Sequence, residues 1–206
     1  MGRKAKDPEV RRKEIVEAAE QLFTEKGFDQ TSVSDITGRV GLSHGAFFYY
    51  FKSKNDLFKS VVRNYLDKEV EGFRAFVDDN RVDALKKIQL LVDRSLSSSQ
   101  VKNGFIDYMH YEGNASIHDE YTRRSQELLI PMIAEVVQQG VDEGLFNVEY
   151  PRECVELIIP MFDSMYHSLQ QPQGNDEYYR RLRALESILT RCLGIKEGSL
   201  TVRPMR

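Results

Sequence analysis

The sequence predicts an all-α fold, and three observations carry that prediction. Apolar residues recur three and four positions apart through segments of helical length. Glycine, proline, serine and asparagine breaks divide those segments at intervals suited to helices. No stretch shows the apolar–polar alternation of a strand, and there is no internal repeat.

The chain begins with a basic arm. Within residues 1–13, Arg3, Lys4, Lys6, Arg11, Arg12 and Lys13 face only Asp7 and Glu9. Asp7-Pro8 suits a helix start, with proline in the first turn. Ile15, Ala18, Ala19, Leu22 and Phe23 form an apolar stripe to about residue 26, where Gly27 ends the helix and Phe28 tucks in behind it. Thr31 or Ser32 caps a second helix in which Val33, Ile36 and Val40 share one face. Gly41 is suited to the left-handed conformation that stops a helix. Leu42 then points back as a plug, Ser43 caps a third helix, and Phe47 and Phe51 form that helix's inward face. Two short helices meeting at a tight turn have the layout of a helix-turn-helix, in which the second helix enters the DNA major groove.

The outer face of that second helix suits the role. His44, Gly45 and Ala46 open it, where base contacts are usually made. His44 offers a hydrogen-bonding edge, and the small residues allow close approach. Tyr49 and Tyr50 carry hydroxyls toward phosphate oxygens, and Lys52 and Lys54 follow as flanking cations.

Ser53-Lys54-Asn55-Asp56 has the form of a capping box, with Asp in place of Glu. A long amphipathic helix follows to about residue 79 through Leu57, Phe58, Val61, Val62, Tyr65, Leu66, Val70, Phe73 and Phe76, and reads as the link between two halves. Further helices are expected near 82–97, 102–112, 117–143, 152–171 and 176–193. Pro131 is expected to kink or divide the third of these, and Pro160 to bend the fourth. The spacing divides the chain into residues 1–53, residues 54–194 and a mobile tail over 195–206.

From Val33 to Leu57 the chain resembles the DNA-binding domain of the tetracycline repressor (TetR) family of bacterial transcription regulators. Gly41-Leu42-Ser43, Gly45, Phe48-Tyr49-Tyr50-Phe51-Lys52-Ser53-Lys54 and Asp56-Leu57 carry the likeness. Ala18-Ala19, Leu22-Phe23, Lys26-Gly27-Phe28 and Thr31-Ser32-Val33 extend it toward the N-terminus. Thr37 and Val40 stand where small alanines are usual, Ala46 for a hydroxyl residue, Phe48 for tyrosine and Tyr50 for histidine.

The resemblance implies a DNA interface at Thr31, Ser32, Ser43, His44, Gly45, Ala46, Phe48, Tyr49, Tyr50, Lys52 and Lys54. It implies an N-terminal three-helix helix-turn-helix domain joined by a long helix to a C-terminal helical domain that binds a small-molecule effector. It also implies a homodimer through the helices near 152–171 and 176–193, placed on a palindromic double-stranded operator. An effector of apolar or aromatic character would meet Phe105, Tyr108, Met109, Tyr111, Met132, Phe162, Met165 and Tyr166, with Asp107, His110, Glu112 and His167 as polar anchors.

Composition narrows the alternatives. The 206 residues carry a net charge of −3, with 13 Lys/Arg against 11 Asp/Glu in residues 1–70 and 16 against 21 thereafter. Positive charge therefore collects at the helix-turn-helix end. No apolar run approaches the roughly 18 residues of a membrane span, and the N-terminus lacks a secretion signal, so a cytoplasmic location is expected. Cys154 and Cys192 are expected to stay reduced as small core residues. His110, Glu112 and His118 lack metal-ligand spacing. There is no Gly-x-Ser-x-Gly elbow and no phosphate-cradling glycine loop. Neither an enzyme, a cofactor nor a metal site is expected. The competing readings are a non-specific, nucleoid-type DNA-binding protein and a small-molecule-binding protein that has lost operator reading.

Overall fold

The structure, a computed structural model, describes residues 7–98, 104–109, 114–169 and 176–203. Its helices are α1 (Pro8–Lys26), α2 (Val33–Val40), α3 (His44–Tyr50), α4 (Lys54–Val77), α5 (Ala84–Ser98), α6 (Gly104–Met109), α7 (Ala115–Asp142), α8 (Pro151–Leu169) and α9 (Asp176–Cys192). Among the described residues there is no strand. The fold is all-α. α1 starts where Asp7 accepts from the Glu9 N–H at 2.8 Å, with Pro8 as its first residue. α7 runs through Pro131 without dividing, and α8 likewise contains Pro160.

The chain forms two compact units. The first comprises Met1–Lys68 with Lys102–Arg124, and the second Glu69–Val101 with Ser125–Arg206. α4 and α7 each contribute residues to both. The first unit takes α4 as far as Lys68 because Leu57, Phe58, Val61 and Val62 are fully buried. Phe58 lies 5.1 Å from the ring of Phe23, 5.0 Å from Phe28 and 5.3 Å from Phe105. α6 packs on α1 in the same unit, and Tyr108 stacks on Phe28 at 4.2 Å. Polar links surround this aromatic core. Arg63 forks onto Glu120 at 2.6 and 3.1 Å, and Glu20 accepts from Asn64 at 2.7 Å and Lys68 at 3.0 Å.

In the second unit, Ile88, Val92, Leu96, Val136, Val137, Phe146, Leu182, Leu185 and Leu189 are core residues. Lys87 is buried among them without any exposed surface. Its ammonium donates to the Val77 carbonyl at the end of α4 and to Gln139 Oε1. Gln139 in turn donates to the Val82 carbonyl at 3.0 Å, and Glu143 accepts the Ala84 N–H at 2.9 Å. The α4–α5 turn is thus satisfied by side chains of α5 and α7, as buried polar groups require.

Two expectations are corrected here. The segment after Gly194 is not a loose tail as far as Arg203. Leu200 and Val202 are buried, the Thr201 N–H donates to Gln89 at 2.9 Å, and the Val202 N–H donates to Glu186 at 2.8 Å. Apolar residues two apart hold it down where composition alone reads as polar. The cysteines are not core residues either: Cys154 is half-buried and Cys192 exposed.

Gly140 lets Phe146 pack closely against α7 in the second unit. A Cβ there would lie 2.1 Å from Cδ2 of Phe146. Gly140→Ala is therefore expected to lower stability by about 1–3 kcal/mol, measured as a reduced midpoint in chemical denaturation; an unchanged midpoint would contradict this packing.

Candidate nucleic-acid interface

The turn between α2 and α3 is built as its residues dictate. Gly41 takes φ 64°, in the left-handed region, and the Leu42 N–H donates to the Thr37 carbonyl at 2.9 Å. The Thr37 and Gly38 carbonyls near the end of α2 are thus satisfied within the turn itself. Ser43 then caps α3, its hydroxyl accepting the Ala46 N–H at 3.2 Å. Phe47 and Phe51 are buried and anchor α3 from behind. Arg12 of α1 lies over the Phe51 ring at 4.8 Å and donates to Ser60 at 2.8 Å.

This anchoring leaves one face of α3 in solvent. His44 and Gly45 are exposed, Phe48 is 51 % exposed and Tyr49 is 76 % exposed. Ala46 and Tyr50 are half-buried, with Tyr49 and Tyr50 meeting edge to face at 5.0 Å. Ser43 and Lys52 are exposed at the two ends of the helix. The face is aromatic, with a hydrogen-bonding edge at His44 and a cation at Lys52.

Three expected interface residues are bonded within the fold. Thr31 is fully buried, and its hydroxyl donates to the Gly27 carbonyl at 2.7 Å, closing the α1–α2 corner. Lys54 also points inward. Its ammonium donates to the carbonyls of Phe28 and Thr31, both at 2.9 Å, and sits 4.1 Å from the Phe28 ring centroid. Burial lowers the Lys54 pKa, opposed by the charge of Asp29. Ser32 is exposed but engaged in the α2 cap. Its hydroxyl accepts the Asp35 N–H at 3.1 Å and donates to the Asp35 carboxylate at 2.7 Å, and its own N–H donates back at 2.8 Å. The start of α2 therefore already holds a carboxylate. Sequence reading passed over Asp35, although Ser32-x-x-Asp35 is a capping-box spacing.

Neighbouring cations are largely paired within the fold. Arg39 meets Glu25 at 3.1 Å, Arg11 meets Glu14 at 2.6 Å and Lys26 meets Asp35 at 3.1 Å. Arg3, Lys4 and Lys6 of the basic arm lie outside the described residues.

The expected effector-pocket residues fall in two groups. Phe105, Tyr108 and Met109 belong to the first unit. There Tyr108 is a packing residue, stacked on Phe28 and edge-on to Phe58, with its hydroxyl accepting from Asn114 at 2.8 Å. Met132 and Phe162 pack in the second unit's core. Tyr111 lies outside the described residues, as do His110 and Glu112, and the side chains of Asp107, Met165, Tyr166 and His167 are likewise not described. Separately, an open cavity of about 460 Å³ in the second unit is lined by Pro131, Glu135, Tyr150, Arg152 and Glu153, none of them expected pocket residues. Among the described residues no three His, Cys, Asp or Glu side chains gather as a metal site, and no helix is long and apolar enough to cross a membrane.

Residues 15–61 match the family model of bacterial regulatory proteins, tetR family. The chain is 26% identical over 158 residues to the HTH-type transcriptional repressor KstR2 of Mycobacterium tuberculosis, covering 75% of this chain and 78% of that one. In structure it resembles a TetR-family transcriptional regulator from Pectobacterium atrosepticum, with a TM-score of 0.73 and 20% identity over 96% of this chain and 97% of the other. It also resembles RolR in complex with the ligand resorcinol, with a TM-score of 0.68 and 15% identity over 91% and 89%.

Two predictions follow from the internal bonds. Lys54→Met removes the ammonium bonds to both carbonyls, of which only that of Phe28 keeps a backbone donor, the Thr31 N–H at 3.1 Å, and is expected to cost about 1–3 kcal/mol, read from thermal unfolding; wild-type stability would rule out the bridging role. The Asp35 pKa is lowered from 3.8 to about 2, by the Ser32 hydroxyl first, then the Ser32 N–H and Lys26. Its folded value is below the unfolded one, so its contribution is present above about pH 4 and is lost as pH falls through about 2. Asp35→Asn should flatten that part of the acid-unfolding profile followed by circular dichroism.

Proposed function

We propose that this chain, which belongs to the TetR family of bacterial regulatory proteins, is a ligand-responsive repressor and not an enzyme. It binds a palindromic operator as a homodimer and is released by a small-molecule effector. The observation that carries the reading is the Gly41 turn together with the buried Phe47 and Phe51, which hold α3 from behind and leave His44, Gly45, Phe48 and Tyr49 facing outward. A helix held that way is suited to the major groove.

The dimer forms through α8 and α9. Leu157 of α8 is 77 % exposed and Ile188 of α9 is 36 % exposed, apolar surface that a second copy would cover. A two-fold axis there sets two copies of α3 on half-sites about one DNA turn (~34–36 Å) apart, or a multiple of it. The effector, of apolar or aromatic character, binds among the helices that follow α4. The aromatic resorcinol bound by RolR is an instance of that chemistry in a protein of similar fold. Preference of the effector for the dimer state that does not fit the operator, by a few kcal/mol, is enough to release DNA.

A nucleoid-type role is less well supported, because α3 itself carries neither lysine nor arginine, whereas non-specific binding depends on phosphate neutralisation.

The test is a fluorescence titration against DNA from upstream of the protein's own gene and against a random duplex, at two salt concentrations. Competitor-resistant binding to the upstream DNA alone is expected; equal, steeply salt-dependent binding to both would overturn operator reading. His44→Ala should relax discrimination at one base pair by about 1–3 kcal/mol. Lys52→Gln should reduce the salt slope by about 1, whereas Lys54 variants should leave it unchanged.

A further inference from the structure

α3 reads His44-Gly45-Ala46-Phe47-Phe48-Tyr49-Tyr50. It contains no arginine, lysine, asparagine or glutamine, the side chains that pair bidentately with guanine or adenine in the major groove. Its outer face instead presents Phe48 one turn beyond His44. The two rings lie 5.3 Å apart. Phe48 has no hydroxyl to give a phosphate, yet half of its surface is in solvent.

Its ring is not a loose surface group. The buried Phe47 supports it edge to face at 5.3 Å, while Gly45 beside His44 adds no side chain that would hold the helix away from DNA. The apolar group that base edges offer in the major groove is the thymine C5-methyl. Covering it would remove apolar surface from water on both molecules.

We propose that Phe48 is a specificity-determining residue that packs against a thymine methyl in each operator half-site. The inference rests on the operator-binding reading above. Adjacent base-pair recognition falls to the hydrogen-bonding edge of His44, which sets the register of the methyl contact.

The experiment begins by enriching binding sites from a random, unmethylated duplex pool with the full chain; in such DNA thymine is the carrier of the C5-methyl. Each thymine of the enriched site is then replaced singly by deoxyuridine, which removes only the methyl. Affinities are measured for the wild type, Phe48→Leu and Phe48→Ala, with thermal unfolding run on each to confirm folding. One replacement per half-site is expected to weaken the wild type about fourfold, the value of one buried methyl. That loss should shrink in Phe48→Leu and vanish in Phe48→Ala. If every deoxyuridine is silent in the wild type, or costs the variants as much as the wild type, the Phe48 assignment is overturned while operator binding stands. If no sequence is enriched, operator reading fails, and this inference with it.

Discussion

The ring of Phe28 is the point on which the first unit depends. It is buried at the α1–α2 corner, within 5.4 Å of Phe23 and 5.0 Å of Phe58. One face takes the Lys54 ammonium, and Tyr108 stacks against the ring as well. The Phe28 carbonyl accepts from the same ammonium. Residues of three helices, α1, α4 and α6, therefore converge on one side chain and its backbone. The orientation of α3 follows, because α3 is seated on a base whose corners these contacts define.

A lysine in such a place illustrates how position decides the use of a charge. Its burial is unfavourable for the charged form, and two carbonyls with an aromatic ring compensate. Lys52, two residues earlier, stays in solvent. The same residue type thus serves the corner at one position and remains available to an anionic partner at the other. Asp35 makes the complementary choice, supplying the negative charge that the start of α2 favours.

Much of this arrangement was legible in the residues. The Gly41 stop, the Ser43 cap, the Asp7-Pro8 start and the inward Phe47 and Phe51 all act over a few positions, where spacing and local conformation are closely coupled. Lys54 and Thr31 were not legible as packing residues. Their partners are backbone carbonyls 23 to 26 positions away for Lys54 and 4 to 9 for Thr31, and nothing in a backbone group's sequence announces its direction. Tyr108 was not legible as a partner of Phe28 for a related reason. An aromatic at helical spacing identifies a buried face but not what covers it, and Phe28 stands 80 residues earlier. Leu200 and Val202 show the opposite difficulty: two apolar residues in a polar stretch are too few for a periodicity, yet enough to hold it down.

The placement of α6 against α1 has a practical corollary for chimaeric regulators. A graft that exchanges only the first 53 residues would separate Phe28 from Phe58, Phe105 and Tyr108, and would leave Lys54 on the wrong side of the junction. A transplantable first unit must instead carry the first half of α4 together with α6 and the opening turns of α7, so two separate stretches of chain would have to be exchanged together.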